Sequence, residues 1–285
     1  MFQVENLTFR YPKNKEDTIK SISFEITKGE IFGLLGPSGV GKSTTQKILT
    51  RLLKNYGGRI TYKGKDLKLY GKEMYQEIGV GFEVPVHFSK LTANENLDFF
   101  KMLYKSHADT DELLKKVGLY DDRNKNVREY SKGMKVRLNF VRALINKPSM
   151  LFLDEPTIGL DPNNSKIIKD MVREFKENGG TVLLTTHLMN DVDELCDRVA
   201  FMADGKIVEI DTPKNLKLKH GVREVDIEYS DGDGMTKKES FGLDNLGANE
   251  NFTSILKTKK IITMHSKETS LDNIFIKLTG VVKYE

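Results

Sequence analysis

Two short stretches gather residue types that can handle a polyphosphate. The first, "GPSGVGKST", runs through Gly36, Pro37, Ser38, Gly39, Val40, Gly41, Lys42, Ser43 and Thr44 and fits G-x-x-x-x-G-K-[ST]. Its glycines let backbone N–H groups converge on phosphate oxygens, and a helix start adds partial positive charge. Lys42 has the reach for β- and γ-phosphates, and the Ser43 hydroxyl is a candidate Mg²⁺ ligand. A buried strand, "EIFGLLG", is expected before the loop and a helix from about Lys42 to Leu52 after it, the context this motif requires. The second stretch, "PSMLFLDEP", reads as an apolar strand ending in Asp154 and Glu155. That strand is expected beside the one feeding the phosphate loop, with its end facing the same crevice. Successive side chains on a strand point oppositely, so the two carboxylates should divide the work. Asp154 would hold Mg²⁺ or its waters, and Glu155 would orient or deprotonate an attacking water. Either stretch alone has an ordinary alternative, a Gly-rich turn or a solvated Asp-Glu turn before Pro156. The flanking strand and helix argue against the first, and the neighbouring phosphate loop argues against the second.

A sheet must position these residues. Short apolar runs alternate with amphipathic helical stretches, which predicts an α/β class with a mainly parallel sheet. Residues 2–10 and 20–27 read as strands of an N-terminal antiparallel β subdomain, joined by the polar turn "YPKNKEDT". From about 84 to 146 the period turns helical, in "LTANENLDFFKMLYK", "DTDELLKKVGL" and "SKGMKVRLNFVRALI", so a helical insertion is expected there. Alternation then resumes. Strands "MLFLDEP" and "GTVLLTTH" flank the helix "NNSKIIKDMVREFKEN", and "DRVAFMADGKIVEI" carries the DG turn of a hairpin. Beyond "DTPKNLKLKHG", the alternation in "REVDIEYS", the turn "DGDG" and the helix "SLDNIFIKLTG" predict a small α/β appendage. The expected division is a first domain, 1–214, and an accessory domain, 215–285.

Bulk properties exclude several classes. A length of 285 residues accommodates one large domain with an appendage. The net charge is +4, and residues 215–285 carry 11 Lys/Arg against 11 Asp/Glu, so the whole excess is spread over the first domain. Nucleic-acid binding needs a clustered basic face, and none is expected. No apolar run approaches the ~18 residues of a membrane span. "MFQVENLTFRYP" lacks the layout of a signal peptide. The lone Cys196 excludes an internal disulfide, fits a reducing compartment and, in "DELCDRVAFM", reads as a small buried hydrophobe.

In order and spacing these motifs resemble the nucleotide-binding subunits of ABC transporters, over about residues 2–211. "YSKGM" resembles the family signature through Ser131 and Gly133, with Arg137 as the basic residue that typically follows. "TIGLDP" resembles the D-loop with Asp161, and His187 in "LLTTHLM" resembles the switch histidine. Tyr11 resembles the aromatic that stacks on adenine. The resemblance implies a P-loop ATPase using ATP and Mg²⁺, in a head-to-tail homodimer or heterodimer. Each ATP would touch the phosphate loop of one chain and the Ser131–Gly133 helix start of the other. Such a start has unpaired N–H donors and a positive end, so Ser131 could be an N-cap and still serve a γ-phosphate. The resemblance also implies a separate membrane permease that docks on the helical insertion, which would place the chain peripherally on the cytoplasmic face of the membrane. Phe82, Val86 and Phe88 are candidates for that groove, core packing being the alternative for each. The signature style and the closing "ETSLDNIFIKLTG" are most similar to bacterial exporter ATPases whose permease is a separate six-span protein.

Departures from the family pattern are local. Lys132 and Met134 stand where the signature usually has Gly and Gln. Glu83 stands where the Q-loop usually ends in Gln, and Gln76 falls before the strand. Glu83 is therefore a candidate Mg²⁺ ligand or water-positioner, or else a loop residue facing solvent. Two other functions compete: a soluble ABC ATPase acting on nucleic acid or ribosomes, and a weakly hydrolysing nucleotide-dependent regulator. A single motif set without a heptad run argues against the first. Glu155 and His187 argue against the second.

Overall fold

In β1 (Phe2–Phe9) the residues Phe2, Val4, Leu7 and Phe9 are buried, and Gln3, Glu5 and Asn6 among them are exposed, so one face is committed to a core. β2 (Ile19–Ile26) pairs with it antiparallel, Phe2 opposite Ile26. β3 (Ile31–Leu35) is buried at all five positions, the mark of a strand covered on both faces. These elements come from a computed structural model that describes residues 1–230, 235–267 and 269–280. The chain divides into two units, Met1–Thr212 and Pro213–Glu285.

Helix α1 (Lys42–Leu49) follows the glycine loop. Strands β4 (Gly57–Tyr62) and β5 (Lys65–Asp66) extend the antiparallel sheet to the order β2-β1-β4-β5. β6 (Ile78–Gly81) then leads into the helical insertion, made of α2 (Ala93–Lys101), α3 (Thr110–Lys116) and α4 (Lys132–Leu144). Each helix starts on a side-chain cap: Thr92 in a capping box with Glu95, Asp109, and Ser131. β7 (Met150–Asp154), α5 (Pro162–Glu177), β8 (Thr181–Thr186), α6 (Met189–Leu195), β9 (Arg198–Ala203) and β10 (Lys206–Asp211) complete the first unit. At the β9–β10 hairpin Asp204 and Gly205 take φ of 47° and 71°, as a two-residue type I′ turn demands.

The second sheet runs β10-β9-β3-β8-β7-β6, parallel except for β10. This order corrects the expected neighbourhood of the two chemical stretches. β7, with its carboxylates, does not lie beside β3; β8 is inserted between them and pairs with both. The phosphate loop and the carboxylates still open on one edge, because all three strands point the same way. The two sheets share a core. The Phe2 ring sits 4.6 Å from Tyr62 within its own sheet and meets Phe152 of β7 edge-on at 5.9 Å.

The second unit contains α7 (Pro213–His220), β11 (Glu224–Ser230), β12 (Thr236–Gly242), α8 (Glu250–Thr258), β13 (Lys260–Lys267) and α9 (Leu271–Thr279). Its antiparallel sheet, β12-β11-β13, buries Val225, Ile227 and Tyr229 in a small core with Phe252 and Ile255 of α8. The "DGDG" turn, residues 231–234, lies outside the described residues. Among the described residues no helix is long and apolar enough to cross a membrane.

Candidate functional site

The phosphate loop is shaped by the backbone that packs against it. Gly41, which starts α1, has φ 111°, and a Cβ there would press on the Thr18 carbonyl oxygen at 3.1 Å. Lys42 is 7% exposed, and its Nζ donates to the carbonyls of Gly36 (2.6 Å) and Pro37 (3.1 Å). Burial pulls its pKa below the ordinary lysine value, while the charges of Glu155, Asp154 and Glu83 push the other way. A bound phosphate would restore what burial removes. Tyr11 lies across the loop, its hydroxyl 3.2 Å from Thr44 Oγ1 and its ring edge-on to Phe9 at 4.8 Å. Tyr11, Pro37, Ser38, Gly39, Val40 and Thr44 line one cleft of ≈ 880 Å³.

The carboxylates at the end of β7 are handled differently from each other. Asp154 ends the strand, 8% exposed, and its Oδ1 accepts from Thr185 Oγ1 at 2.5 Å. Thr185 on the intervening β8 also sits 3.1 Å from Gln46 Oε1 of α1, so this one hydroxyl stands between the helix and the acid. Glu155 has left the strand. Its φ is 49°, so a left-handed turn and not strand pleating aims it away from Asp154. Its Oε1 accepts from the His187 backbone N (3.0 Å) and Nδ1 (2.7 Å), and its Oε2 from Thr186 Oγ1 (2.9 Å). A carboxylate oxygen accepts, so Nδ1 is the donor of this pair.

The remaining motif residues stand apart within the single chain. Ser131 is exposed, and its Oγ accepts from the Met134 N–H at 3.2 Å, the N-cap geometry. Gly133 packs near Leu160, and the Lys132 side chain lies against the turn at Gly159. Asp161 caps α5; hydrogen bonds from the Asn164 backbone and then its side chain hold its carboxyl below the usual range. Ser131, Gly133 and Asp161 line neither cleft of the phosphate loop. Arg137 Nη1 donates to the Val117 carbonyl at 2.6 Å and so ties the insertion together. Gln76 is spent on the Leu103 carbonyl and the Lys105 N–H.

A second cleft, of ≈ 660 Å³, has Ser43, Asp154 and Glu83 in its lining together with Phe82, Val86 and Phe88. All three apolar side chains are exposed, and the Phe88 ring also meets Phe99 of α2 edge-on at 4.9 Å. Sequence reasoning passed over Gln46, Thr185 and Thr186. The available signal was their position, next to Lys42 and His187 in two polar runs flanked by apolar ones.

The ABC transporter family model matches residues 19–158, and the model of the fluoroquinolone efflux ABC transporter C-terminal domain matches 223–268. Over 282 residues the chain is 50% identical to a fluoroquinolones export ATP-binding protein of Mycobacterium tuberculosis, spanning 98% of this chain and 93% of that protein. The chain belongs to the ABC transporter family. This ABC ATPase binds and hydrolyses ATP. It is also 37% identical over 226 residues to a linearmycin resistance ATP-binding protein of Bacillus subtilis, spanning 78% of this chain and 72% of that one. An ATP-binding subunit of an ABC transporter superposes with a TM-score of 0.71 at 27% identity, over 78% of this chain and 94% of its own. A dimeric cassette in a post-hydrolysis state, bound to ADP and Pi, superposes with a TM-score of 0.68 at 26% identity, over 74% and 98%.

Proposed function

We propose that this ABC ATPase powers export by a separate membrane permease, on whose cytoplasmic side it sits, and that its cargo is a drug of the fluoroquinolone kind. The observation that carries the reading is the second cleft. Ser43, Asp154 and Glu83, on the phosphate side, share it with the exposed Phe82, Val84, Val86 and Phe88. Exposed apolar side chains in one groove mark an interaction site, and a segment docked there would be felt at the nucleotide. The names of the relatives support the direction of transport and the cargo.

In this reading two cassettes face head to tail, each ATP held by Gly36–Thr44 and Tyr11 of one chain and by Ser131 and Gly133 of the other. Lys42 exchanges its two carbonyl partners for the β- and γ-phosphates. Glu155 takes the proton of the water that attacks the γ-phosphorus as the bond to the ADP oxygen breaks. His187, released from Glu155, turns Nε2 toward the γ-phosphate, and Asp161 meets the partner across the interface. Ser43, Asp154 and Glu83 offer only oxygen donors, the set Mg²⁺ prefers. Among the described residues no three His, Cys, Asp or Glu are gathered for a metal. That suits an ion that takes few protein ligands and completes its shell with phosphate and water. When bound, Mg²⁺ would neutralise charge on the β- and γ-oxygens. Loss of the γ-phosphate removes the bridge and reopens the dimer.

The test is drug accumulation in the producing cell, followed through a fluorescent fluoroquinolone. Cells carrying Lys42→Ala in place of the wild type should retain more drug. Equal accumulation in the two strains would contradict export of this cargo.

A further inference from the structure

Three carboxylates at or just past the ends of β7 and β8 are buried, and Asp154 and Glu155 have a part in the scheme above. The third is Asp191 in α6, 7% exposed. Its Oδ2 accepts a short hydrogen bond from Thr157 Oγ1, and its Oδ1 lies 3.3 Å from Lys169 Nζ of α5. Lys169 reaches on to Glu194 at 2.7 Å, so the ammonium is shared within the same helix pair. A buried carboxylate is costly unless paired and hydrogen-bonded, and this one is both.

The arrangement is reciprocal. Glu155, just past β7, is held by Thr186 and His187 at the end of β8. Asp191, past β8, is held by Thr157, past β7. The two loops that leave the site are stapled to each other twice, once through each acid. The Thr157 turn continues straight into the D-loop: the Leu160 N–H donates to the Thr157 carbonyl at 3.1 Å, and Leu160 packs near Gly133 at the start of α4. Helix α6 begins two residues after His187.

We propose that Thr157 and Asp191 are positioning residues that carry the position of His187 to the D-loop turn and thence to the signature end of the same chain. When His187 leaves Glu155 for a γ-phosphate, α6 moves with it. Asp191 then draws Thr157 and resets the 157–161 turn on which Gly133 rests. Hydrolysis at one nucleotide thereby adjusts the helix start offered to the other. The last link rests on the head-to-tail reading above; the staple itself does not. Neither residue touches nucleotide, so the effect should fall on turnover and leave binding alone.

The test uses the full chain and compares Thr157→Val, Thr157→Ser and Asp191→Asn for Mg-ATP hydrolysis and for affinity toward a fluorescent ATP analogue. Thr157→Val keeps the shape and removes the donor. Its kcat should fall about tenfold, equivalent to about 1.4 kcal/mol and in the range of one hydrogen bond to a charged group. Nucleotide affinity should stay within about twofold, and Thr157→Ser, which keeps the hydroxyl, should restore most of the rate. Combining Thr157→Val with Asp191→Asn should cost no more than the worse single change. If Thr157→Val melts well below the wild type, Asp191→Asn is judged by the same split between kcat and affinity. Wild-type turnover in both variants would overturn the proposal, as would a Thr157→Ser rate as low as that of Thr157→Val. Failure of the head-to-tail reading has a different signature, the absence of any ATP-dependent dimer.

Discussion

A single methyl group at Gly79 should loosen the whole first unit. Gly79 lies on β6, and a Cβ there would stand 1.9 Å from the carbonyl oxygen of Ala143 in α4 and 3.0 Å from Leu151 Cδ1. A relaxed C···O contact is about 3.3 Å, so strand and helix must part by about 1.4 Å. That gap opens where two amides stitch the elements together. Asn146, just past α4, donates to the Ile78 carbonyl at 2.8 Å, and Asn139 donates to the Phe82 carbonyl at 2.8 Å. Losing both costs about 2 kcal/mol, and overpacking adds about 1–3 kcal/mol, so Gly79→Ala should destabilise by about 4 kcal/mol. For a unit of this size each kcal/mol moves the midpoint by about 2–4 °C, which places the variant about 10 °C below the wild type. Thermal unfolding followed by circular dichroism reads this directly. ATP turnover should fall as well, because α4 begins at Ser131. A midpoint within about 2 °C of the wild type would refute the close approach of β6 and α4.

Two further outcomes follow from buried groups. Burial lowers the His87 pKa from 6.5 to about 4, against the raising effect of the hydrogen bond to the Lys135 carbonyl. Between those values the unfolded chain takes up a proton that the folded chain refuses, so the contribution is complete above pH 6.5 and lost as pH falls toward 4. It amounts to at most about 3 kcal/mol, and urea titrations should show that His87→Gln flattens the acid limb of the stability profile. An unchanged limb would count against a neutral buried imidazole. Burial likewise pushes the Cys196 thiol far above its ordinary value, so a maleimide should label it only after denaturant is added. Rapid labelling of the native protein would show that this packing is wrong.

What was legible in the sequence was what is encoded locally. The phosphate loop depends on glycines at fixed spacing, and the Ser131 cap on a residue at one helix start, so both could be read without tertiary information. That Asp154 and Glu155 would be held differently was also legible, but for a different reason than alternation. A φ of 49° at Glu155 is set by its hydrogen bonds to the end of β8, which no local pattern announces. Strand order is another such property. Nothing in "GTVLLTTH" says that it lies between the two chemical strands, and so the bridging role of Thr185 was hidden. The same limit applies to Phe82, Val86 and Phe88, since an apolar side chain in a loop reads alike whether it meets a core or a partner. β4 and β5 were missed because "GGRITY" buries only its last three residues and β5 spans two.

The central claim, that Glu155 drives hydrolysis of an ATP shared between two chains, is tested most directly by the mass of Glu155→Gln in solution. Light scattering after gel filtration should find a monomer without nucleotide and a stable dimer in ATP, with turnover nearly abolished. A variant that still hydrolyses ATP at the wild-type rate and remains monomeric in its presence would contradict the account.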